Sequence, residues 1–533
     1  MSGKYTQRVH AFWLESDLDV LPGGRRGAGP SIIRHVDFDE QTCEQARLHR
    51  DARFDGRIFI GITSTGIYCR PICPSPHAKR VHVRFFASAA AASAAGFRPC
   101  LRCRPEVAPG TPAWNGTSTT VNRGLRLIAE GALDEAGVET LAARLGVSSR
   151  HLSRLFQRHL GALPSTVAQT RRLHFAKQLI SDTNLSMAEV AMASGFRSIR
   201  RFNDVFRDFY GRPPSELRRL GARMGVTEGE YVFHLAFRPP YDWNMLLRFL
   251  APRSVPGMES IRDGVYRRTL AIQAHHGLLE VRLAPGTHAL RVHIRFPKPE
   301  YLLQIVARVR VMFDLAADPD VIRQTLGADS MLAPLLKRHS GLRLPGAWDS
   351  LEPVVHAVLH QRFSLDETQH LQALVAEECG EPVFSLGAEE LCRTFPSAPM
   401  LAESRLDFLP RSTADLIRSA AQAVAAVRPN APPDDLLVKL RTISGVDDAV
   451  IQYVAMRALN DSDAFPAELA ELRSAFDAMS GSQELSRRAA AWKPWKAYAS
   501  MLLMCAGRGR GDPEARVHGL DVRADDRHQL RER

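Results

Sequence analysis

Cys69, Cys73, Cys100 and Cys103 form a CxxxC pair followed, after an Ala-rich stretch, by a CxxC pair. Thiolate is the nucleophilic and metal-ligating form of cysteine, and two close pairs suit one tetrahedral Zn2+. Half of the chain's 8 cysteines lie here. Such a centre has two uses. It can staple a small fold, or it can react: a zinc with four thiolates carries a net charge of about −2, which keeps its sulfurs anionic at neutral pH, so an exposed ligand can attack an electrophilic alkyl group. The spacing alone does not choose between them.

The elements that must hold these cysteines are short. Residues 57–62 and 81–86 read as strands, and 87–95 are helix-prone up to Gly96. The cysteine pairs are therefore expected on loops of a small α/β domain, residues 36–107. His77, Lys79, Arg80, Arg84, Arg98, Arg102 and Arg104 flank them. A solvated charged face would account for these cations, but their position around a metal favours contact with phosphates. Residues 1–35 are Gly/Pro/Arg-rich without periodicity and read as a disordered extension, or as the product of a wrongly placed start codon.

The run TSTGIYCRPICPSPHAKRVHVRFFASAAAASAAGFRPCLRCRP resembles the N-terminal domain of the Ada family of alkylation-response proteins. By that resemblance Cys69 is both zinc ligand and acceptor of a methyl group from a DNA methylphosphotriester, with Cys73, Cys100 and Cys103 as the other ligands.

After a linker at 108–120, residues 121–220 read as all-helical. Residues 141–156 and 186–206 each give helix, glycine turn and helix, with Gly146 and Gly195 at the turns; Ser186 and Glu189 have capping-box spacing. Between them Pro164 and Ser165 start a helix reaching about Ser181, roughly 25 Å long, which can hold two recognition helices near one DNA turn apart. From Thr140 to Lys177 there are Arg144, Arg150, Arg154, Arg158, Arg171, Arg172 and Lys177, and no carboxylate. The pair of units, ending in GFRSIRRFNDVFRDFYGRPPSELR, resembles an AraC-type DNA-binding domain. That implies DNA contacts by Arg150, Ser153 and Arg154 from the first unit, and by Arg197, Ser198, Arg200, Arg201 and Asn203 from the second. Phe202 and Phe206 are expected in the core.

A linker at 221–230 precedes alternating strand patterns at 231–237, 277–283 and 289–296, an α+β domain over 231–315. RPPYDWNMLLRFLAPRSVPGMESIRDGVYRRTL resembles the N-terminal domain of the AlkA family of 3-methyladenine DNA glycosylases, and the all-helical 316–506 resembles the same family's helix-hairpin-helix body. Residues 507–533 read as a charged disordered tail. The departures from the family matter. Its hairpin, Leu-Pro-Gly-Val-Gly-Pro-Trp-Thr-Ala, is here Ile443-Ser-Gly-Val-Asp-Asp-Ala-Val-Ile451: Gly445 remains as a backbone phosphate contact, but Asp447 and Asp448 bring carboxylates where a phosphate should sit. The family's catalytic Asp falls on Leu469, which cannot stabilise a cationic sugar. Glu468 could substitute only after a one-residue shift.

A net charge of +12 on 533 residues favours a polyanionic partner. No apolar run is long enough to span a membrane and no signal-peptide core is visible, so a cytoplasmic protein with reduced thiols is expected. Cys379, Cys392 and Cys505 read as packed thiols, His275 and His276 as exposed, and Trp492 and Trp495 as structural. The expected architecture is a multidomain α+β chain with one four-cysteine Zn2+ site. Its expected partners are double-stranded DNA, alkylated and promoter, and RNA polymerase. The readings are a methyl-accepting transcription regulator fused to a glycosylase-like domain of doubtful activity, an active glycosylase with a regulatory front half, or a pure regulator with a structural zinc. Burial of Cys69 would favour the last.

Overall fold

The computed structural model describes residues 38–109, 119–134, 136–219, 229–383, 390–428, 431–432, 434–480 and 485–508. The expected extension at 1–35, most of both linkers and the tail beyond Arg508 lie outside the described residues.

The first region is built on a four-stranded sheet. Helix α1 (Glu40–Leu48), capped by Asp39, precedes β1 (Phe59–Ile62), β2 (Ile67–Cys69) and β3 (Val83–Phe86), then α2 (Ala89–Ala94), capped by Ser88, and β4 (Arg98–Pro99). The sheet order is β3-β1-β2-β4, with β2 parallel to β4 and the other pairs antiparallel. Gly61 is required: a Cβ there would meet the rings of Phe86 and Phe97 at 2.7 and 2.9 Å. Ala91 and Ala92 of α2 pack with Phe59, Tyr68, Phe86 and Phe97 on one side of the sheet, and Cys43, Ala46, Ile58, Ile60, Val83 and Phe85 fill the other. Burial pushes the Cys43 thiol up to about 12, which makes it inert.

The tandem helical region follows: α3 (Thr119–Ala129), α4 (Val138–Arg144), α5 (Ser149–Leu160), α6 (Pro164–Asp182), α7 (Met187–Ala193), α8 (Ile199–Tyr210) and α9 (Pro214–Arg219). The turn glycines Gly146 and Gly195 take φ of 68° and 79°, the left-handed conformation that a side chain disfavours. Ser186 and Glu189 close the capping box. Phe202 and Phe206 are fully buried, about 2–3 kcal/mol of transfer free energy each. α6 runs for 19 residues, about 28 Å.

Next comes an antiparallel sheet in the order β5-β9-β8-β7-β6, made of β5 (Glu230–Ala236), β6 (Glu259–Arg262), β7 (Val265–Ile272), β8 (His275–Leu283) and β9 (Ala289–Arg295), with α10 (Trp243–Leu250) between its first two strands. The helical body contains α11 (Leu302–Met312), α12 (Pro319–Leu326), α13 (Leu332–Arg338), α14 (Leu351–His360), α15 (Leu365–Cys379), α16 (Ala398–Glu403), α17 (Arg411–Ala425), α18 (Asp435–Arg441), α19 (Asp448–Ala458), α20 (Ala470–Ser480), α21 (Leu485–Ala489) and α22 (Lys496–Arg508). Sheet and body are joined by buried ion pairs, Arg268 with Glu352 and Arg253 with Glu471. Trp492 is fully buried with its Nε1–H donating to Asp329 at 2.9 Å, and Trp495 is also buried. Among the described residues no helix is long and apolar enough to cross a membrane.

Three expectations need correction. Cys69 ends a strand rather than sitting on a loop, because the three-residue β2 is too short to show alternation. His275 and His276 are half-buried on β8, and His276 Nε2 lies 2.8 Å from Glu381. Cys392 is exposed and outside any helix.

The cores are unevenly distributed. One continuous apolar cluster runs from Leu173 through the second helix-turn-helix unit, the five-stranded sheet and the helical body. The first unit has its own separate core, with Leu141, Leu152, Phe156 and Leu160 at its centre.

Candidate functional site

Parallel pairing of β2 with β4 sets Tyr68 beside Pro99, and the Cys100 amide donates to the Tyr68 carbonyl at 2.9 Å. Cys69, the last residue of β2, and Cys100, the residue after β4, are thereby neighbours. The turns after each strand return Cys73 and Cys103 to the same point. All four Sγ atoms lie within 4.8 Å of one another. A tetrahedral S4 shell at about 2.3 Å from zinc places sulfurs about 3.8 Å apart, so the four cysteines fit a single Zn2+. Cys69 and Cys103 are pushed up by hydrogen bonding with Cys100, while Cys73 and Cys100 are pulled down, by Cys100 and Cys103 respectively.

The sulfurs are not equivalent. Cys73, Cys100 and Cys103 are buried, whereas Cys69 is half-open to solvent. Arg70, itself buried, donates its amide to Cys103 Sγ at 3.3 Å and its guanidinium to Asp55 and the Cys103 carbonyl. That clamp fixes the second pair from behind.

Of the flanking cations, His77, Lys79, Arg84, Arg98 and Arg102 are exposed. Arg80 is exposed but paired with Glu40 and Glu44, and Arg104 is half-buried and paired with Glu106 and Asp182. The basic run of the helical region is divided in the same way. Arg171 and Arg172 donate to the Ala129 and Leu133 carbonyls, and Lys177 binds Glu106 and Ser181. These three are structural cations. Sequence spacing could not show it, because their partners are remote along the chain.

Ser148 caps α5 by accepting from the His151 amide, and Ser198 caps α8 by accepting from Arg201. Arg150 and Arg154 are exposed on α5, with Arg154 3.0 Å from His151 Nδ1, and Ser153 is half-buried. Arg197, Ser198, Arg200, Arg201 and Asn203 are all exposed at the start of α8. Both helices thus present a basic, N-terminal surface to solvent.

The hairpin between α18 and α19 is different. Gly445 keeps a left-handed φ of 94°, and its carbonyl accepts from Gln361 at 3.2 Å. Asp447 is the N-cap of α19, its carboxylate accepting from the Val450 amide at 2.9 Å. The helix end that could receive a phosphate is occupied by the chain's own carboxylate. Leu469 is buried, and Glu468 is exposed in the turn before α20, 3.0 Å from Arg473. No register shift brings Glu468 inward.

Fold and site together define a multidomain protein in which a zinc–thiolate module precedes a tandem helix-turn-helix pair and a sheet-plus-helix body. Family models match three stretches: the metal binding domain of Ada over residues 42–106, a helix-turn-helix domain over 141–220, and the AlkA N-terminal domain over 232–349. The chain is 38% identical over 483 residues to a probable bifunctional transcriptional activator/DNA repair enzyme AlkA of Mycobacterium tuberculosis, covering 88% of this chain and 96% of that one. It is 30% identical to DNA-3-methyladenine glycosylase 2 of Escherichia coli, covering 50% of this chain and 95% of that one. With the bifunctional transcriptional activator/DNA repair enzyme Ada of Escherichia coli it shares 31% identity, over 34% of this chain and 50% of that one. The chain belongs to the Ada–AlkA family of bifunctional transcriptional activator/DNA repair proteins.

Proposed function

We propose that this protein takes one methyl group from a DNA methylphosphotriester onto Cys69, in a single turnover, and then acts as a DNA-binding transcription regulator. The observation that carries this reading is the half-open Cys69 among three buried sulfurs. Held by Cys69, Cys73, Cys100 and Cys103, a zinc supplies charge that keeps its thiolates deprotonated. The Cys69 sulfur attacks the methyl carbon; a C–S bond forms, the methyl C–O bond breaks, and the electron pair leaves with the phosphate oxygen as an ordinary diester anion. His77, Lys79, Arg84 and Arg102, exposed around the cluster, orient the backbone by charge.

Converting a thiolate into a thioether removes about one negative charge beside those cations, so the methylated protein binds DNA more tightly and with a steeper salt dependence. Arg150, Ser153 and Arg154 on α5, with Arg197, Ser198, Arg200, Arg201 and Asn203 at the start of α8, face promoter DNA, and RNA polymerase is the partner downstream. A cytoplasmic location fits reduced thiols. Residues 36–107, 121–220, 231–315 and 316–506 form the functional divisions. The glycosylase-like half does not excise bases, a reading supported by Leu469 at the catalytic position, Glu468 turned to solvent and Asp447 on the hairpin.

The test is incubation with a duplex carrying a single methylphosphotriester, followed by peptide mass analysis and DNA affinity. One methyl on the Cys69 peptide, absent in Cys69→Ser, with tighter binding only in the methylated wild type, is the expected result. Methyl on no peptide, or equal tightening in Cys69→Ser, would refute it.

A further inference from the structure

The zinc-binding region touches three helices of the tandem helical region, α5, α6 and α8. At the C-terminus of α5, Ser88 Oγ donates to the Leu160 carbonyl at 2.7 Å, and a Cβ on the following Gly161 would meet Ala91 at 3.0 Å. At the C-terminus of α8, a Cβ on Gly211 would run into the Arg98 guanidinium. Both glycines hold left-handed φ values, 67° and 71°, so each recognition helix ends on a residue whose missing side chain admits the zinc-binding region. A cation beside the α8 C-terminus also faces the negative end of that helix. Along α6, which joins the two units, Tyr68 Oη lies 2.9 Å from His174 Nε2, Glu106 pairs with Lys177 at 3.5 Å, and Arg104 with Asp182 at 3.0 Å.

These contacts matter because the two units are anchored unequally. The second shares its core with the five-stranded sheet, where Phe175 stacks on Phe233 at a centroid distance of 6.0 Å. The first has a core of its own, and among its contacts with the rest of the chain are the start of α6, Arg171 and Arg172 of α6 donating to the Ala129 and Leu133 carbonyls, the Arg126 bond to the Leu459 carbonyl, and Ser88. Two half-sites on DNA are read only if both recognition helices reach their grooves together, and one base pair displaces a groove by about 3.4 Å.

We infer that the zinc-binding region is a spacing gauge: through Ser88, Tyr68 and Arg98 it fixes the separation and orientation of α5 and α8, and so sets which half-site spacing the protein accepts. Tyr68 directly precedes Cys69, Arg98 lies two residues before Cys100, and Arg98 pairs in register with Ile67. The strand pair that carries one of the four cysteines and leads directly into a second therefore carries two of the gauge contacts. Reading α5 and α8 as DNA-facing rests on the proposed function; the gauge geometry does not.

The experiment uses the full chain with spin labels introduced as unnatural amino acids at Gln157 and Asp208, both exposed on α5 and α8. Pulsed dipolar spectroscopy of the wild type should give one narrow distance. Ser88→Asp keeps an oxygen to cap α2 but cannot donate to Leu160, so Ser88→Asp with Arg98→Ala should broaden the distribution while leaving zinc at one per chain. Ser88→Thr, which keeps both cap and donor, should restore the narrow distance when Arg98 is intact. In parallel, a duplex enriched by the wild type from a random pool is lengthened by two base pairs between its protected half-sites. Wild-type affinity should fall by about tenfold and that of the double variant by less than about threefold. Equal widths, or equal losses on the lengthened duplex, overturn the gauge. If the wild type enriches no duplex at all, the DNA-facing reading fails, and the label distances still decide the gauge.

Discussion

At the cysteine cluster, three sulfurs are buried and the fourth is left half-open beside exposed cations; at the hairpin before α19, the helix end is filled by Asp447, and Leu469 before α20 is buried. Both places belong to modules with relatives among DNA repair enzymes. In the first one sulfur of the cluster and several cations face solvent. In the second Asp447 caps its own helix, Glu468 pairs with Arg473, and Leu469 is buried. Groups that act on DNA must be reachable from solvent, so what each site leaves exposed says more about it than the fold around it does.

The most direct way to break this contrast is at Cys69. Cys69→Ser should reduce methyl uptake from a methylphosphotriester duplex to background, read by peptide mass. Uptake at any other cysteine would remove the distinction drawn from exposure. Base release from alkylated duplex is next. The wild type should fall short of an active glycosylase by about 10^2-fold or more, the usual effect of losing one electrostatic group aimed at the transition state. Release at a comparable rate, abolished by Glu468→Gln, would make the second site a working one.

His174 sharpens the comparison from the zinc side. Burial pushes its imidazole down to about 4 where it meets Tyr68. The unfolded imidazole titrates near 6.5, so the docked form is fully stable above that pH and loses up to about 3 kcal/mol as pH falls from 6.5 toward 4. Melting temperatures between pH 7.5 and 5.5 should drop more for the wild type than for His174→Gln. The smallest effect is at the hairpin. Asp447→Ala should cost about 1 kcal/mol in a denaturant titration by removing a helix cap, while DNA affinity rises slightly as a carboxylate leaves the phosphate-facing end. A variant that melted like the wild type would mean that the cap contributes nothing.

The four cysteines were legible in the sequence because a metal demands fixed residue types at short spacing. The helix-turn-helix repeat was legible because Gly146, Gly195 and the capping box are local devices. The strands β2 and β4 were not, since three and two residues cannot display a period. Nor was the inward use of Arg171, Arg172 and Lys177, or the meeting of Tyr68 with His174 across 106 positions, because such contacts are set by tertiary packing alone. At Asp447 the sequence showed a carboxylate in an unfavourable place for phosphate; only the backbone showed that it had acquired a capping role.

The apolar core that runs without a break from the second helix-turn-helix unit into the sheet and helical body also bears on why the C-terminal half persists. Segments that share one core open as one cooperative unit, so hydrogen exchange in α8 and in β5 should report the same opening event, with the first unit opening separately. The C-terminal half is then a folding partner of the regulator. Its removal should destabilise the second recognition helix whatever its own chemistry.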